Sequence, residues 1–239
     1  MSESLEEKTA ELERLLRHAA IAHAPTALAS SLSAEDMVIT DVILRHQLGI
    51  GIFTLDTGRL HADTLNVIAA IRERYGYEVQ VFRPDPASLA EYVGNFGRDA
   101  FYESVQLRKR CCHIRKVEPL ERALAGKKAW ITGQRREQGA TRAEIEVQEH
   151  DVARGMVKLN PLADWSENDV WKTLHNRNIP YNALHDQGYR SIGCAPCTRP
   201  TVAGEDARAG RWWWELHEAR ECGLHLALDG RLARTREPA

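Results

Sequence analysis

The sequence predicts an α/β fold built on a doubly wound, mostly parallel sheet that is flanked by helices. Three short apolar segments, 26–30, 50–55 and 78–82, alternate with two segments whose apolar residues recur at helical spacing, 37–48 and 61–75. Strands that alternate with helices in this way pair in parallel through helical crossovers. Ligands of such sheets bind in the crevice at the carboxyl ends of the strands. We therefore expect a binding site at that edge.

The composition indicates an ordinary globular protein. Its 239 residues are 43% hydrophobic and 28% charged, so the chain can bury one large core. The formal net charge of −2 argues against a general nucleic-acid binder, because such proteins carry an excess of basic residues. The segment Met1–Glu7 is acidic, and no apolar run reaches membrane-spanning length. These features predict a cytoplasmic protein with neither a nucleic-acid partner nor a membrane partner.

Two loops follow the first two predicted strands. The chain opens with an amphipathic helix, Leu5–Ala22, and its first strand runs into the loop Ser31–Asp36 and a second helix. A strand, a loop of small residues and a helix N-terminus can present backbone N–H groups to a phosphate. The alternative is that Ser and Asp side chains here only cap the helix. The turn Asp56-Thr57-Gly58-Arg59 follows the second strand, so both loops are predicted to lie on the same rim of the sheet.

The middle of the chain is predicted to complete the sheet. After Pro86 it reads as helical to about Ala125, and 128–133 is the next strand. The segment Gln134–Arg142 is rich in arginine and has no core residues, which is typical of a mobile loop. Such a cationic loop either closes over an anionic ligand or is a solvated turn. A short apolar segment, Val157–Leu162, then precedes a capped helix.

The last predicted helix runs from Arg208 to Ala219 and contains Trp212, Trp213 and Trp214. Successive residues of a helix point about 100° apart. The three rings therefore cannot all face one core.

Four of the five cysteines stand in two patches, the vicinal pair Cys111-Cys112 and the Cys-x-x-Cys of Cys194 and Cys197. In a reducing compartment such cysteines are better interpreted as metal ligands or reactive thiols than as disulfides. Adjacent ligands are awkward for a tetrahedral zinc site, and the five basic residues between Gln106 and Lys116 would stabilise an anionic thiolate cluster. An iron–sulfur cluster, a zinc site and buried free thiols all remain possible on spacing alone.

The fifth cysteine, Cys222, is separate from these patches and immediately precedes Gly223. A thiol at the C-terminal end of a helix gains no help from the helix dipole, so any activation must come from Arg220, His225 or other basic groups. Taken alone, such a cysteine is either an inert small residue or a nucleophile.

Eight motifs occur in a characteristic order along the chain. They are Ser31-Leu32-Ser33-Ala34-Glu35-Asp36, Leu55-Asp56-Thr57-Gly58-Arg59, Cys111-Cys112-x-x-Arg115-Lys116, Asn160-Pro161-Leu162-x-x-Trp165, Ile179-Pro180-Tyr181, Gly193-Cys194-x-x-Cys197-Thr198-Arg199-Pro200, Gly204-Glu205-Asp206-x-Arg208-x-Gly210-Arg211-Trp212 and Glu221-Cys222-Gly223-Leu224-His225. With them the chain resembles, over nearly its whole length, the assimilatory adenylylsulfate and phosphoadenylylsulfate reductase family. The four paired cysteines make it similar to the iron–sulfur branch of adenylylsulfate reductases, since the other branch typically keeps only the last cysteine.

The resemblance implies a fold, a cofactor and a set of site residues. The fold is a PP-loop, or adenine nucleotide alpha hydrolase-like, domain over residues 1–200, followed by a C-terminal helix and tail, 201–239, that carry the catalytic Cys222. One 4Fe-4S cluster is held by Cys111, Cys112, Cys194 and Cys197. The implied substrate-binding residues are Ser31, Ser33, Asp56, Thr57, Gly58, Arg59, Lys116, Arg142, Arg208 and Arg211.

The resemblance also implies a reaction with a covalent intermediate. The thiolate of Cys222 attacks the sulfur of adenylylsulfate, AMP leaves, and thioredoxin or a glutaredoxin-like donor releases sulfite from the resulting S-sulfocysteine. Such a reaction belongs to assimilatory sulfate reduction. The oligomeric state is open, a homo-oligomer included.

Three rival interpretations remain. The enzyme could reduce phosphoadenylylsulfate, alone or together with adenylylsulfate. It could be an adenylating PP-loop enzyme, although Ser31–Asp36 matches the Ser-Gly-Gly-x-Asp-Ser loop of those enzymes poorly. It could also be a non-enzymatic iron–sulfur or zinc redox sensor, which has no use for Cys222. Two departures from the family pattern are Arg220, where lysine is common, and Ser33-Ala34, where a glycine is common.

Overall fold

A six-stranded sheet forms the centre of the protein in the computed structural model, which describes residues 4–139 and 142–215. The strands are β1 (Thr26–Ala29), β2 (Gly51–Leu55), β3 (Gln80–Phe82), β4 (Ala129–Ile131), β5 (Gln148–Asp151) and β6 (Met156–Leu159). The helices are α1 (Leu5–Ala22), α2 (Ala34–Arg45), α3 (Ala62–Tyr75), α4 (Pro86–Phe96), α5 (Val105–Cys112), α6 (Glu118–Leu124) and α7 (Glu167–Asn176).

The strand order is β3-β2-β1-β4-β6-β5, and only β5 runs antiparallel to its neighbour. From β1 the chain adds β2 and β3 on one side of the sheet and then adds β4 on the other side, as in doubly wound sheets. The predicted α/β fold with a mostly parallel sheet is therefore confirmed. No helix in the described ranges is long and apolar enough to cross a membrane.

Alternate residues of the central strands build two cores, one on each face of the sheet. Leu28, Ile52 and Ile131 lie in register and pack among the apolar faces of α1, α2, α3 and α7. Phe53 and Trp130 point to the opposite face, where they meet α6. Strands covered on both faces read as continuous apolar runs, which is why the sequence predicted these strands well.

Strand β5 was not predicted, because its sequence, Gln148–Asp151, is polar. It lies at the edge of the sheet and pairs with β6 across a turn in which Gly155 has a φ of 63°. An edge strand needs only one buried face, and charged residues there are common.

The helix predicted from Pro86 to about Ala125 is broken into several pieces. Gly97, with a φ of 91°, ends α4. After α5, residues His113–Val117 form a π-helical turn before α6 begins. The wider turn buries both Arg115 and Lys116 beside the cysteine pair. Such π-turns within helices often occur at functional sites.

The helix predicted to begin at Arg208 is wrong over the described residues, since 207–210 and 212–214 form turns and Arg211 between them forms an isolated β-bridge with Thr198. The segment is held instead by the Cys-x-x-Cys, because Trp212 N–H donates to Cys197 O at 3.1 Å and Arg199 N–H donates to Gly210 O at 3.0 Å. Trp212 adopts a φ of 44° to make this contact. The tryptophans separate as expected, with Trp212 fully buried and Trp213 exposed. Residues 216–239, Cys222 among them, lie outside the described ranges.

Candidate functional site

A cleft of about 570 Å³ opens at the carboxyl-terminal edge of the sheet, where the loops after β1, β2 and β4 meet. Seven of the predicted substrate-binding residues line it: Ser31, Ser33, Thr57, Lys116, Arg142, Arg208 and Arg211. The structure thus brings together side chains from five separate parts of the sequence. The cleft is the candidate active site.

The loop between β1 and α2 is organised by Asp36. Its carboxylate accepts hydrogen bonds from both N–H and Oγ of Ser31, each at 2.6 Å. Burial raises the pKa of Asp36 to about 6, against the lowering effect of these hydrogen bonds. Ser33 occupies the N-cap position of α2 without a side-chain capping bond. The imidazole Nε2 of His185 instead accepts from Ala34 N–H at 3.3 Å, so His185, which the sequence did not single out, helps to close this helix end.

Gly133 brings the end of β4 against the start of α2. A Cβ atom at this position would lie 2.4 Å from Asp36 Oδ1 and 2.8 Å from Glu35 Cβ, so only glycine fits without displacement. We did not single out Gly133 from the sequence. The available signal was a glycine directly after a buried strand at the expected ligand-binding edge.

The turn after β2 has a structural part and a part that faces the cleft. Asp56 accepts from Gly58 N–H at 2.9 Å and from Arg83 Nε at 3.0 Å, which fixes the turn. Thr57 lines the cleft, and its Oγ1 lies 3.2 Å from Cys194 Sγ. Its carbonyl accepts from Arg115 Nη1 at 2.6 Å. Thr57 therefore connects the cleft to the cysteines.

Arg59 points away from the large cleft. It donates to Asp99 Oδ1 at 2.7 Å and to Arg98 O at 3.0 Å, and its guanidinium lies 5.2 Å from the centre of the Phe101 ring. Its side chain lines the small cavity beside the cysteines. The structure thus places Arg59, unlike Thr57, on the cysteine side of the turn.

The four paired cysteines meet around this second, small cavity. It is lined by Cys111, Cys112, Cys194 and Cys197 together with Arg59, Phe101, Arg108, Arg115, Lys116 and Pro196. Burial raises the pKa of the Cys111 thiol, and it raises the pKa of Cys197 to about 12. Without a positive ion, the sulfurs of Cys111 and Cys197 therefore remain thiols at neutral pH.

The chemistry of this cavity fits an iron–sulfur cluster. Four thiols and four cationic side chains line it, and no carboxylate from the described residues does so. Clusters ligated by four thiolates carry negative charge that such cations stabilise. Within the described ranges, no three His, Cys, Asp or Glu side chains are close enough together to chelate a single metal ion.

Trp212 lines the large cleft and packs against the cysteines, in one apolar cluster with Cys112, Cys194 and Cys197. The guanidinium carbons of Arg108 and Arg211 each lie 4.7 Å from the centre of its ring, and Lys116 Nζ lies 5.9 Å away. A tryptophan ring attracts cations to its faces. The fully buried ring therefore holds a group of positive charges at the edge of the cleft.

Arg211 is placed in the cleft by a close approach to Gly193. A Cβ atom on Gly193 would lie 2.4 Å from Arg211 Nη2, so a side chain here would displace the guanidinium. Nη1 of Arg211 donates to Ile192 O at 3.1 Å. The glycine before the Cys-x-x-Cys thus allows this arginine to lie against the backbone.

The remaining predicted cations reach the cleft from two loops. Arg142 lines the cleft and donates from Nη1 to Gln138 Oε1. Arg208 lines it from the turn that precedes Arg211. The predicted nucleophile, Cys222, lies outside the described residues.

The start of the segment predicted as a mobile loop, Gln134–Arg142, is anchored. Arg135 is buried and forms an ion pair with Glu35 at 3.0 Å, and it donates from Nη1 to Trp165 O at 3.2 Å. Gln138 donates to the same Glu35 at 2.9 Å. The hydropathy of the sequence does not predict that Arg135 is buried, because its burial depends on an ion pair with a helix distant in the sequence.

Comparison with known proteins identifies the family. Residues 25–200 match the phosphoadenosine phosphosulfate reductase domain. The adenosine 5'-phosphosulfate reductase of Burkholderia cepacia is 56% identical over 95% of this chain and 90% of its own length. That of Allochromatium vinosum is 56% identical over 82% of this chain and 77% of its own length.

A solved structure supports the fold. The crystal structure of phosphoadenylyl-sulfate reductase from Candida auris superposes with a TM-score of 0.68 and covers 83% of this chain and 99% of that one, at 24% identity. Fold, domain match and curated relatives agree with one another and with the resemblance found in the motifs. The chain belongs to the phosphoadenosine phosphosulfate reductase family, and within it resembles the adenosine 5'-phosphosulfate reductases.

Proposed function

We propose that this protein reduces adenylylsulfate to sulfite and AMP in assimilatory sulfate reduction, with thioredoxin as electron donor. The observation that carries the proposal is the shared wall of the two cavities. Lys116 and Cys194 line both the large cleft and the small cavity of the four cysteines. These two residues connect a nucleotide-sized cleft to a cysteine-rich site, and the curated relatives are reductases of such a nucleotide.

The cleft offers suitable groups for each part of the substrate. The loop Ser31–Asp36 and the start of α2 face it, and a helix N-terminus attracts phosphate. Apolar side chains of β2 and the following turn, Phe53, Leu55 and Leu60, offer a surface for adenine. Lys116, Arg208 and Arg211, with Arg142, supply positive charge for the phosphosulfate. Ser31, Ser33, Asp56, Thr57, Gly58 and Arg59 are proposed to form or support the nucleotide loops.

Cys222 is the proposed nucleophile. It lies seven positions after Glu215, the last described residue, and seven residues span at most about 25 Å. Its thiolate attacks the sulfur of adenylylsulfate, forms an S–S bond and expels AMP with the electrons of the cleaved S–O bond. Cations on the phosphate lower the barrier because they stabilise the charge that develops on AMP.

Thioredoxin then supplies both electrons. One of its thiolates attacks Sγ of Cys222 and expels sulfite, leaving a mixed disulfide. Its second thiolate resolves this disulfide, which returns Cys222 as a thiolate and leaves oxidised thioredoxin. A glutaredoxin-like dithiol can perform the same exchange.

The four cysteines Cys111, Cys112, Cys194 and Cys197 are proposed to bind one 4Fe-4S cluster. When bound, the cluster supplies a rigid anchor and a local electric field, and no electron of the balanced reaction passes through it. Lys116 follows the cysteine pair by one helical turn and reaches the cleft. We expect its position to depend on the fixed conformation of Cys111 and Cys112.

Several finer features belong to the same proposal. Residues 1–200 form the nucleotide- and cluster-binding domain, and 201–239 form the segment that presents Cys222. The protein works in the cytoplasm. Reduction of the 3'-phosphorylated nucleotide, alone or with dual specificity, is the second candidate, because the matching domain and the Candida auris structure are named for that substrate.

A steady-state assay of the cluster-loaded protein tests this function. Sulfite release is measured with thioredoxin and reductase, using adenylylsulfate and phosphoadenylylsulfate as competing substrates. We expect a higher kcat/KM for adenylylsulfate than for phosphoadenylylsulfate. We expect no release of sulfite without thioredoxin or another dithiol. A preference for phosphoadenylylsulfate would favour the second candidate, and inactivity with both would contradict the proposal.

A further inference from the structure

Gln134 is a buried amide whose hydrogen-bonding groups are unused. The residue is 4% exposed and lines the cleft just after β4. Among residues 4–139 and 142–215, neither Oε1 nor Nε2 has a hydrogen-bond partner. Because both atoms lack a partner, this holds whichever way the amide is oriented. An amide without partners is costly to bury, so a ligand that enters the cleft and satisfies both of its ends gains binding free energy.

The backbone around Gln134 fixes where the amide lies. Its N–H donates to Thr132 Oγ1 at 3.3 Å. The residue before it, Gly133, approaches Asp36, and the residue after it, Arg135, pairs with Glu35. Gln134 is therefore held beside the first turn of α2, next to the loop proposed to bind phosphate, and on the other side of β1 from the apolar surface of β2.

The chemistry of the amide restricts what it can bind. A phosphate or sulfate accepts hydrogen bonds but donates none at neutral pH, and it would repel Oε1. A hydroxyl group both donates and accepts, so it can satisfy either end of the amide. In a nucleotide whose phosphate lies at the start of α2, the ribose is joined to that phosphate through its 5'-carbon, so the ribose hydroxyls lie within reach of a residue beside the first turn of α2.

We propose that Gln134 binds the ribose hydroxyls of the nucleotide and thereby favours a free 3'-hydroxyl over a 3'-phosphate. This inference rests on the proposed function, because it requires an adenine nucleotide in the cleft. A 3'-phosphate replaces a donor with a charged acceptor and leaves Oε1 facing negative charge in a buried place. Gln134 is in this way a specificity-determining residue for the reaction.

The test measures binding of nucleotides by Gln134→Leu in the cluster-loaded protein. The probes are AMP, 2'-deoxy-AMP, 3'-deoxy-AMP and adenosine 3',5'-bisphosphate, with inosine monophosphate as a probe of the base. In the unchanged protein, we expect removal of one hydroxyl to weaken binding about three- to tenfold. Gln134→Leu should bind AMP as weakly as the unchanged protein binds the deoxy-AMP that lacks the hydroxyl bound by Gln134. Removing the same hydroxyl should then change the affinity of Gln134→Leu little. The preference for AMP over the bisphosphate should also fall.

Gln138→Leu is the matched control. Gln138 lines the same cleft, but its amide is already used, since Nε2 donates to Glu35 and Oε1 accepts from Arg135 N–H at 3.1 Å. We expect this variant to have a lower melting temperature and to keep the response to the hydroxyls. Gln134→Leu should keep or raise the melting temperature of the nucleotide-free protein, because it removes an unpaired amide. If Gln134 had a purely structural role, Gln134→Leu would lower this melting temperature.

The possible outcomes separate the inference from the proposed function. If AMP binds and both variants respond equally to loss of a hydroxyl, the role of Gln134 is wrong. If Gln134→Leu changes only the affinity for inosine monophosphate relative to AMP, the amide contacts the base and the ribose assignment is wrong. If neither AMP nor adenylylsulfate binds the unchanged protein, the proposed function itself fails, and the inference fails with it.

Discussion

Arg108 and Glu215 form a bidentate ion pair in which both side chains are buried. Nε and Nη2 of Arg108 donate to the two carboxylate oxygens of Glu215 at 2.8 and 2.7 Å. The exposed fractions of the two side chains are 0% and 3%. Arg108 lies on α5 three residues before the cysteine pair, whereas Glu215 is the last described residue before the segment that contains Cys222. The pair thus ties the end of the described chain to the cysteine helix.

We predict that Glu215→Ala destabilises the protein by about 3–5 kcal/mol, because it removes the carboxylate that forms the bidentate ion pair with the buried Arg108 guanidinium. Chemical unfolding of the cluster-loaded protein measures the change. The double variant Arg108→Leu with Glu215→Leu should recover most of the lost stability, since it removes both charges. An equal loss in the double variant would show that packing, rather than the ion pair, stabilises this contact.

Replacing Lys116 by Ala should slow formation of S-sulfocysteine about 10²–10³-fold, the usual effect of removing one group that stabilises developing charge. Iron and sulfide content should not change, because Lys116 is not a proposed cluster ligand. Single-turnover mass spectrometry with adenylylsulfate measures the rate. Lys109→Ala is the control, since Lys109 is an exposed cation on the same α5 helix. An unchanged rate in Lys116→Ala would refute the role given to Lys116.

The variant Gly193→Ala tests the position of Arg211. The added methyl group would lie 2.4 Å from Nη2, so the guanidinium must move and lose its hydrogen bond to Ile192 O. We expect a loss of about 1–2 kcal/mol of stability and an increase of about tenfold in KM for adenylylsulfate. Gly94→Ala is the control, because open space surrounds that glycine in helix α4 and alanine there should stabilise by about 0.5–1 kcal/mol. A KM equal to that of the unchanged protein would contradict the placement of Arg211.

The buried carboxyl of Asp36 should make stability depend on pH. Burial raises its pKa to about 6 in the folded protein, compared with about 3.9 in an unfolded chain. The folded state therefore holds the proton more tightly, so this stabilising contribution is complete below about pH 4 and is lost as the pH rises through about 6. We expect the stability of the protein relative to Asp36→Asn to fall by up to about 3 kcal/mol over that range. Urea unfolding of both proteins at several pH values measures this difference in the free energy of unfolding. A difference that stays constant with pH would contradict the raised pKa of Asp36.

The sequence predicted the parts of the fold that are set by local apolar patterns. The strands around Leu28, Ile52 and Ile131 were found because both faces of each strand are buried and the residues are continuously apolar. The polar edge strand β5 was missed, since its charged residues resemble a loop. The sequence predicts a helix from Arg208 where the structure has turns, because the contacts of this segment with Cys197 and Arg199 join residues that only the folded chain brings close.

The candidate site was predicted in part, for similar reasons. Residues in short motifs, such as Ser31, Thr57 and Lys116, reach the cleft as expected. Gln134 and Arg135 were assigned to a mobile loop, because nothing in their own neighbourhood indicates that they are buried. Their burial follows from the approach of β4 to the first turn of α2, which is a contact between distant segments.

The most direct test of the proposed reaction is intact mass spectrometry of the anaerobically purified protein after incubation with adenylylsulfate and without thioredoxin. Iron and sulfide are assayed on the same sample. We predict an adduct of one sulfonate group that maps to Cys222, is discharged by thioredoxin and is lost in Cys222→Ser, with about four irons per chain. Absence of an adduct in a protein that retains its cluster would contradict a covalent reaction with adenylylsulfate.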